Sequence, residues 1–241
     1  MIFSIKDYAS YNLKELLRNG HLMAGLLGAL VPALLVTYYI LTNSTPFYIK
    51  YISNFYCMLG MLAAVLHPLY LVNRDYSFKT ISLINNSRQN RKNYVFANIV
   101  VALYVSLFYA ALGVGLLLVT HQLGVPGELK ASFLLGFSAN VFLLVLTFFL
   151  FGYVLLLYGL RSGAVYGILT ALLLFVHNIL ANVLESINNG LLSSFIEHFP
   201  FYFYPVMVGS NPLSPLQYAI GCLTLIVLLV MTLKKSEKME V

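Results

Sequence analysis

The chain has 241 residues, of which 60% are hydrophobic and only 9% charged, against about 25% charged in soluble domains. This composition reads as an all-α polytopic membrane protein, and the short polar stretches leave no room for a soluble catalytic domain. The net charge of +6 does not point to nucleic acid. The basic residues are spread over several short loops on one predicted membrane face, as positive-inside topology requires.

Residues 1–20 place Ile2, Ile5, Tyr8, Leu13, Leu16 and Leu17 at roughly helical spacing, with Lys6, Lys14, Glu15 and Arg18 between them. That pattern predicts an amphipathic helix lying in the cytoplasmic interface. No cleavable signal peptide is evident, because the first apolar run is long enough to span and charged residues precede it.

Six apolar runs follow, at 22–42, 52–72, 96–120, 132–158, 164–185 and 215–233. Each is near the ~20 residues that cross ~30 Å of hydrocarbon. The split between the fourth and fifth rests on Gly159, Arg161, Ser162 and Gly163. Twelve of the fourteen lysines and arginines fall on the assigned cytoplasmic side, and only Lys50 and Lys130 fall outside. Six transmembrane helices with both termini cytoplasmic satisfy this bias.

The segment 73–93, NRDYSFKTISLINNSRQNRKN, carries Arg74, Lys79, Arg88, Arg91 and Lys92. A Lys or Arg at the centre of a span costs roughly 2.5–3.5 kcal/mol on an insertion scale, so this segment is a cytoplasmic loop. Phe78, Ile81 and Ile84 recur every three residues within it. They predict an amphipathic helix of about two turns, closed by the turn formers Asn85, Asn86 and Ser87. An apolar edge on a short helix suits a groove on a partner, while Arg88, Arg91 and Lys92 suit anionic headgroups.

On the outer side, residues 186–214 hold no Lys or Arg but are rich in Phe, Tyr and Pro. Phe199, Phe201, Tyr202, Phe203 and Tyr204 suit the headgroup level. Pro200, Pro205, Pro212 and Pro215 forbid one continuous helix. Short re-entrant helices before the sixth span are expected, shielded from lipid by the bundle.

The chain contains no GxxxxGK followed by Ser or Thr, so it binds no ATP through a P-loop. It has no HExxH and no close carboxylate pair, so no metal or enzyme site is read. Cys57 and Cys222 lie in different runs and suit free thiols. Polar residues within the spans are Asn54, His67, Ser138, Asn140, His177, Asn178 and Asn182, with Glu185 closing the fifth. His67 precedes Pro68 and could satisfy the backbone that the proline frees. Asn178, Asn182 and Glu185 fall at i, i+4 and i+7 on one helix face, which would line a substrate path or a subunit interface; His177 faces another direction but is counted with them as a substrate-path candidate.

This layout resembles the ABC-2 type permeases, the membrane subunits of type V ABC exporters. That family has an interfacial helix, six spans, a coupling helix between the second and third, and re-entrant helices before the sixth. Its coupling hairpin carries an acidic residue, Gly-Thr, an apolar pair, a proline and Ser-Arg. RDYSFKTISLINNSR matches at Asp75, Thr80, Leu83–Ile84 and Ser87–Arg88, and departs at Lys79, where Gly is usual, and at Asn85–Asn86, where Pro is usual. The resemblance implies a dimer of permeases working with two copies of a separate cytoplasmic ATPase that binds ATP and Mg. It assigns Asp75, Phe78, Lys79, Thr80, Ile81, Leu83, Ile84 and Arg88 to ATPase coupling. It is similar in size to bacterial plasma-membrane permeases that export amphipathic peptides or confer immunity to them. The competing reading is a non-transporting membrane anchor or sensor that recruits a partner through the 73–93 loop.

Overall fold

The computed structural model describes residues 3–43, 45–84, 87–186 and 189–238, with only the backbone of residues 83 and 84. Among these residues the secondary structure is entirely helical. The elements are α1 (Ile5–Arg18), α2 (His21–Thr42), α3 (Ile49–Ser77), α4 (Ile81–Ile84), α5 (Arg88–Gln122), α6 (Ala131–Leu157), α7 (Ser162–Ala171), a π-turn (Leu172–Val176), α8 (His177–Ser186), α9 (Gly190–Glu197), α10 (Pro200–Met207) and α11 (Pro215–Glu237). Six helices are long and apolar enough to cross a membrane: α2, α3, α5, α6, the continuous α7–α8, and α11. They support a multi-pass membrane protein and correspond to the six predicted runs.

The main difference in span limits lies at the polar segment. Helix α3 continues to Ser77 and α5 begins at Arg88, so most of 73–93 is helix and the exposed connection is half as long as expected. Ser87 caps α5 by accepting from the Asn90 backbone N–H at 3.2 Å, which sets the start of that helix.

Helices α3 and α6 are the most buried of the six and form the centre of the bundle. Large side chains fill it, with Tyr56, Tyr109, Phe137, Phe148 and Phe149 all fully buried. Helix α2 packs on α3 through small residues. A Cβ placed on Gly60 would lie 2.9 Å from the Ala29 Cβ, so the two backbones touch there. Close approach through small residues is how helices gain packing energy when lipid removes the hydrophobic incentive. His67 does not serve the backbone at Pro68. Its Nε2 instead meets the Tyr109 hydroxyl at 3.0 Å, while Tyr56 donates to the Tyr109 carbonyl at 2.7 Å.

The basic residues collect at one end of the bundle, where α3 ends and α5 begins. Lys50 and Lys130 lie at the other end, beside the starts of α3 and α6. At that second end α9 and α10 form two short helices within the predicted 186–214 stretch. Pro200 sits in the first turn of α10, where a missing N–H costs nothing. Asn140, ten residues into α6, donates to the Asn211 carbonyl at 2.9 Å and accepts from the Tyr218 hydroxyl at 3.0 Å. The chain after α10 is therefore drawn in among the spans.

Candidate functional site

At the basic end, α1 lies against α2 and α5 and presents Tyr8, Asn12 and Glu15 towards the end of α3. Arg74 reaches two of them: its guanidinium pairs with Glu15 and donates to Asn12 Oδ1 at 2.9 Å, and it meets Asp75 Oδ1 at 2.7 and 3.0 Å. Asp75 Oδ2 accepts from the Tyr8 hydroxyl and, at 3.1 Å, from the Tyr94 hydroxyl of α5. Burial, and then the charge of Asp75, push the Tyr8 phenol above its ordinary range, so Tyr8 stays protonated and donates. One carboxylate and one guanidinium thus fasten three helices together.

Asp75 is only 3% exposed. Four donors on α1, α3 and α5 hold it inside. Helix α1 keeps much of the amphipathic pattern of residues 1–20: Leu16 is buried and Ile5, Tyr8 and Leu13 are half-buried, but Leu17 is exposed and Ala9 and Asn12 share the buried face. A period count weighs apolar residues, and here a buried asparagine takes the place of a leucine. Tyr8, Asn12, Glu15 and Tyr94 are the partners of Arg74 and Asp75 that the sequence pattern does not single out. The one available signal was a Tyr, an Asn and a Glu at i, i+4 and i+7 on one face of α1.

The connection itself is a tight turn and one helical turn, α4, rather than two turns of amphipathic helix. Lys79 sits at φ 56°, in the left-handed region, which costs an L-residue other than glycine about 1–2 kcal/mol. It is the position at which the resembled pattern has glycine. The Thr80 hydroxyl donates to the Asp75 carbonyl at 3.2 Å, and Ser82 Oγ to the Lys79 carbonyl at 2.7 Å; both bonds stabilise the reversal. The left-handed residue breaks the helical phase, so Phe78 and Ile81 do not share a face. Phe78 is 74% exposed, whereas Ile81 is 8% exposed and packs into the core. The side chains of Leu83 and Ile84, and the turn residues Asn85 and Asn86, lie outside the described residues.

Arg88 is not free at this end. It pairs with Glu237 at the end of α11 at 2.5 Å, Lys92 joins the same carboxylate at 3.0 Å, and Arg91 donates to the Glu237 carbonyl at 3.0 Å. The C-terminal span is thereby clasped to the start of α5.

The four predicted substrate-path residues separate. A cavity of about 360 Å³ between α3, α6, the π-turn and the chain around α10 is lined by His177 and Asn178, with Asn54, Met58, Met61 and Ser210. Asn182 and Glu185 are exposed on α8 away from it. All four residues follow the π-turn on the one helix α8, so Asn178, Asn182 and Glu185 keep a common face, but the cavity wall reaches along α8 only as far as Ala181. Ser210 Oγ donates to Asn54 Oδ1 at 2.8 Å, and Ser53 donates to the Gly209 carbonyl. A Cβ on Gly209 would fall 2.9 Å from the Asn54 backbone nitrogen, so glycine is what lets this segment close the cavity against α3. Among the described residues, no group of three His, Cys, Asp or Glu side chains could hold a metal ion. No protein-family model matches the chain, and no curated protein is significantly similar to it.

Proposed function

We propose that the chain is the membrane-spanning permease subunit of an ATP-driven exporter of the ABC-2 kind, coupled to a separate cytoplasmic ATPase. The observation that carries this reading is the turn at 78–84. It displays one large aromatic side chain, Phe78, on a reversal centred on left-handed Lys79, and the Arg74–Asp75 network ties its root to α1 and α5. A push on such a turn passes into three helices at once and cannot be absorbed by a loose loop. In this reading the contact to the ATPase is made by Phe78, Lys79 and the exposed part of Arg88. Asp75, Thr80 and Ile81 shape and anchor the turn from inside.

In the proposed orientation both termini and the basic end face the cytoplasm of a bacterium, α1 lies in the interface, and α9 and α10 are re-entrant pieces at the outer leaflet. Two permeases and two ATPases make the working unit, and ATP and Mg belong to the partner. The substrate is an amphipathic peptide, a toxin or bacteriocin, with export or immunity as its purpose. What supports a path for it is the mixed cavity of His177, Asn178 and Asn54 against Met58 and Met61. Nucleotide would drive transport only if the ATPase bound the two permease states unequally.

The test is purification of the tagged protein in mild detergent from its own host, scoring bound ATPase. The expected outcome is a copurifying soluble ATPase that is lost with Phe78→Asp, while the variant permease stays folded. A permease with no ATPase and no nucleotide dependence overturns the exporter reading in favour of a membrane anchor.

A further inference from the structure

The two lysines that break the charge bias, Lys50 and Lys130, are 80 positions apart in sequence, yet both line one cavity of about 240 Å³ at the end of the bundle opposite the basic cluster. Tyr48, Glu128, Ser132 and Phe133 complete the part of its wall used here. We propose that this cavity binds the phosphate of an anionic phospholipid headgroup.

The wall is built from fixed pieces. The Ile49 backbone N–H donates to the Pro126 carbonyl at 3.0 Å, which joins the start of α3 to the loop before α6. Lys50 Nζ donates to Asn211 Oδ1 at 2.9 Å and lies 5.8 Å from the centre of the Phe133 ring. Asn211 is itself held through its carbonyl by Asn140. An ammonium has three protons to give, and Lys50 gives one of them to a neutral amide. Among the described residues no carboxylate pairs with Lys50. Lys130 does have one, Glu128 at 2.7 Å, so two cations face one anion and the cavity carries an unmatched positive charge.

The surroundings distinguish a lipid from a free anion. Tyr48 and Phe133 are aromatic residues at the ends of spans, where headgroups lie. One turn along α6 from Ser132, on the same face, Leu135 is 73% exposed. Beside a cavity that holds two ammonium groups there thus stands an exposed apolar side chain, which a headgroup with its acyl chain covers and inorganic phosphate does not. The site makes no use of the ATPase, so it stands or falls independently of the exporter reading.

Native mass spectrometry of the full-length protein, titrated with phosphatidylglycerol, phosphatidylcholine or inorganic phosphate, tests the assignment. The expected result is tighter retention of phosphatidylglycerol than of phosphatidylcholine. Lys50→Gln and Lys130→Gln should each weaken retention about fivefold, following roughly 1 kcal/mol per basic residue near an anionic surface. Lys50→Arg should restore it, and Glu128→Gln, which removes the competing carboxylate, should tighten it. The basic cluster at the other end is unchanged in all four variants, so its own lipids cancel. Equal retention in wild type and both glutamine variants overturns the proposal. So does equal binding of the two lipids, or binding of inorganic phosphate alone.

Discussion

Asp75 shows how a single residue changes meaning once its neighbours are known. In the sequence it is an acidic residue in a basic loop; in the fold it accepts from Tyr8, Tyr94 and Arg74 and is almost wholly enclosed. Removing Asp75 leaves the enclosed Tyr8 and Tyr94 hydroxyls without an acceptor, at about 1–3 kcal/mol for each buried group left unsatisfied, while Arg74 keeps Glu15. Asp75→Ala is therefore expected to lower the thermal stability of the detergent-solubilised protein sharply. Tyr8→Phe, which removes one hydroxyl, should cost only about 1 kcal/mol. A thermal melt followed by fluorescence size-exclusion chromatography measures both, and equal effects would mean that Asp75 is not the hub. The Phe78 and Ile81 pair makes the same point at the exposed turn. Both are apolar at i, i+3 spacing, but Phe78→Asp should leave stability unchanged, whereas Ile81→Asp buries an unpaired charge and should destabilise.

At the scale of elements, the turn from α3 to α4 stores strain at Lys79. Lys79→Gly removes the Cβ that makes φ 56° unfavourable, so it should be neutral to stabilising by up to about 1 kcal/mol. Lys79→Val should destabilise, because a β-branched residue resists the left-handed region. Comparing the two melts isolates the backbone term from the loss of charge. The α2–α3 seam makes the opposite demand. Gly60→Leu would drive a side chain into Ala29 and should separate the helices, read as loss of monodisperse protein on size exclusion. The spans and their number were legible because apolar runs of ~20 residues are a local property. The phase of the short helix was not, because a single left-handed residue that no period count detects interrupts it.

For the molecule as a whole, the distribution of charge between its two ends predicts an orientation that can be measured in cells. Cys57 is buried and Cys222 lies within α11, so neither should react with a membrane-impermeant thiol reagent. Glu128→Cys should be labelled in intact cells, and Lys79→Cys only after permeabilisation; the reverse pattern would invert the topology. The clasp of Arg88 and Lys92 on Glu237 and the α1 network on α3 gather four chain segments at the basic end. The outer end is joined by Lys50 to Asn211 and by Asn140 to the chain after α10. Each end is thus a set of long-range polar ties around a hydrophobic middle.

By itself the sequence determined the number and approximate places of the spans, the two ends of the bundle and the polar turn between α3 and α5. These follow from runs of apolarity and from charge counts, which neighbouring residues carry without reference to the rest of the chain. Only the tertiary structure decided that Asp75 is enclosed, that Ile81 turns inward while Phe78 does not, that His177 and Asn178 line a cavity which Asn182 and Glu185 do not, and that Lys50 and Lys130 line one cavity. Each of those outcomes joins residues tens of positions apart or depends on one backbone dihedral, and packing of helix against helix is what selects them.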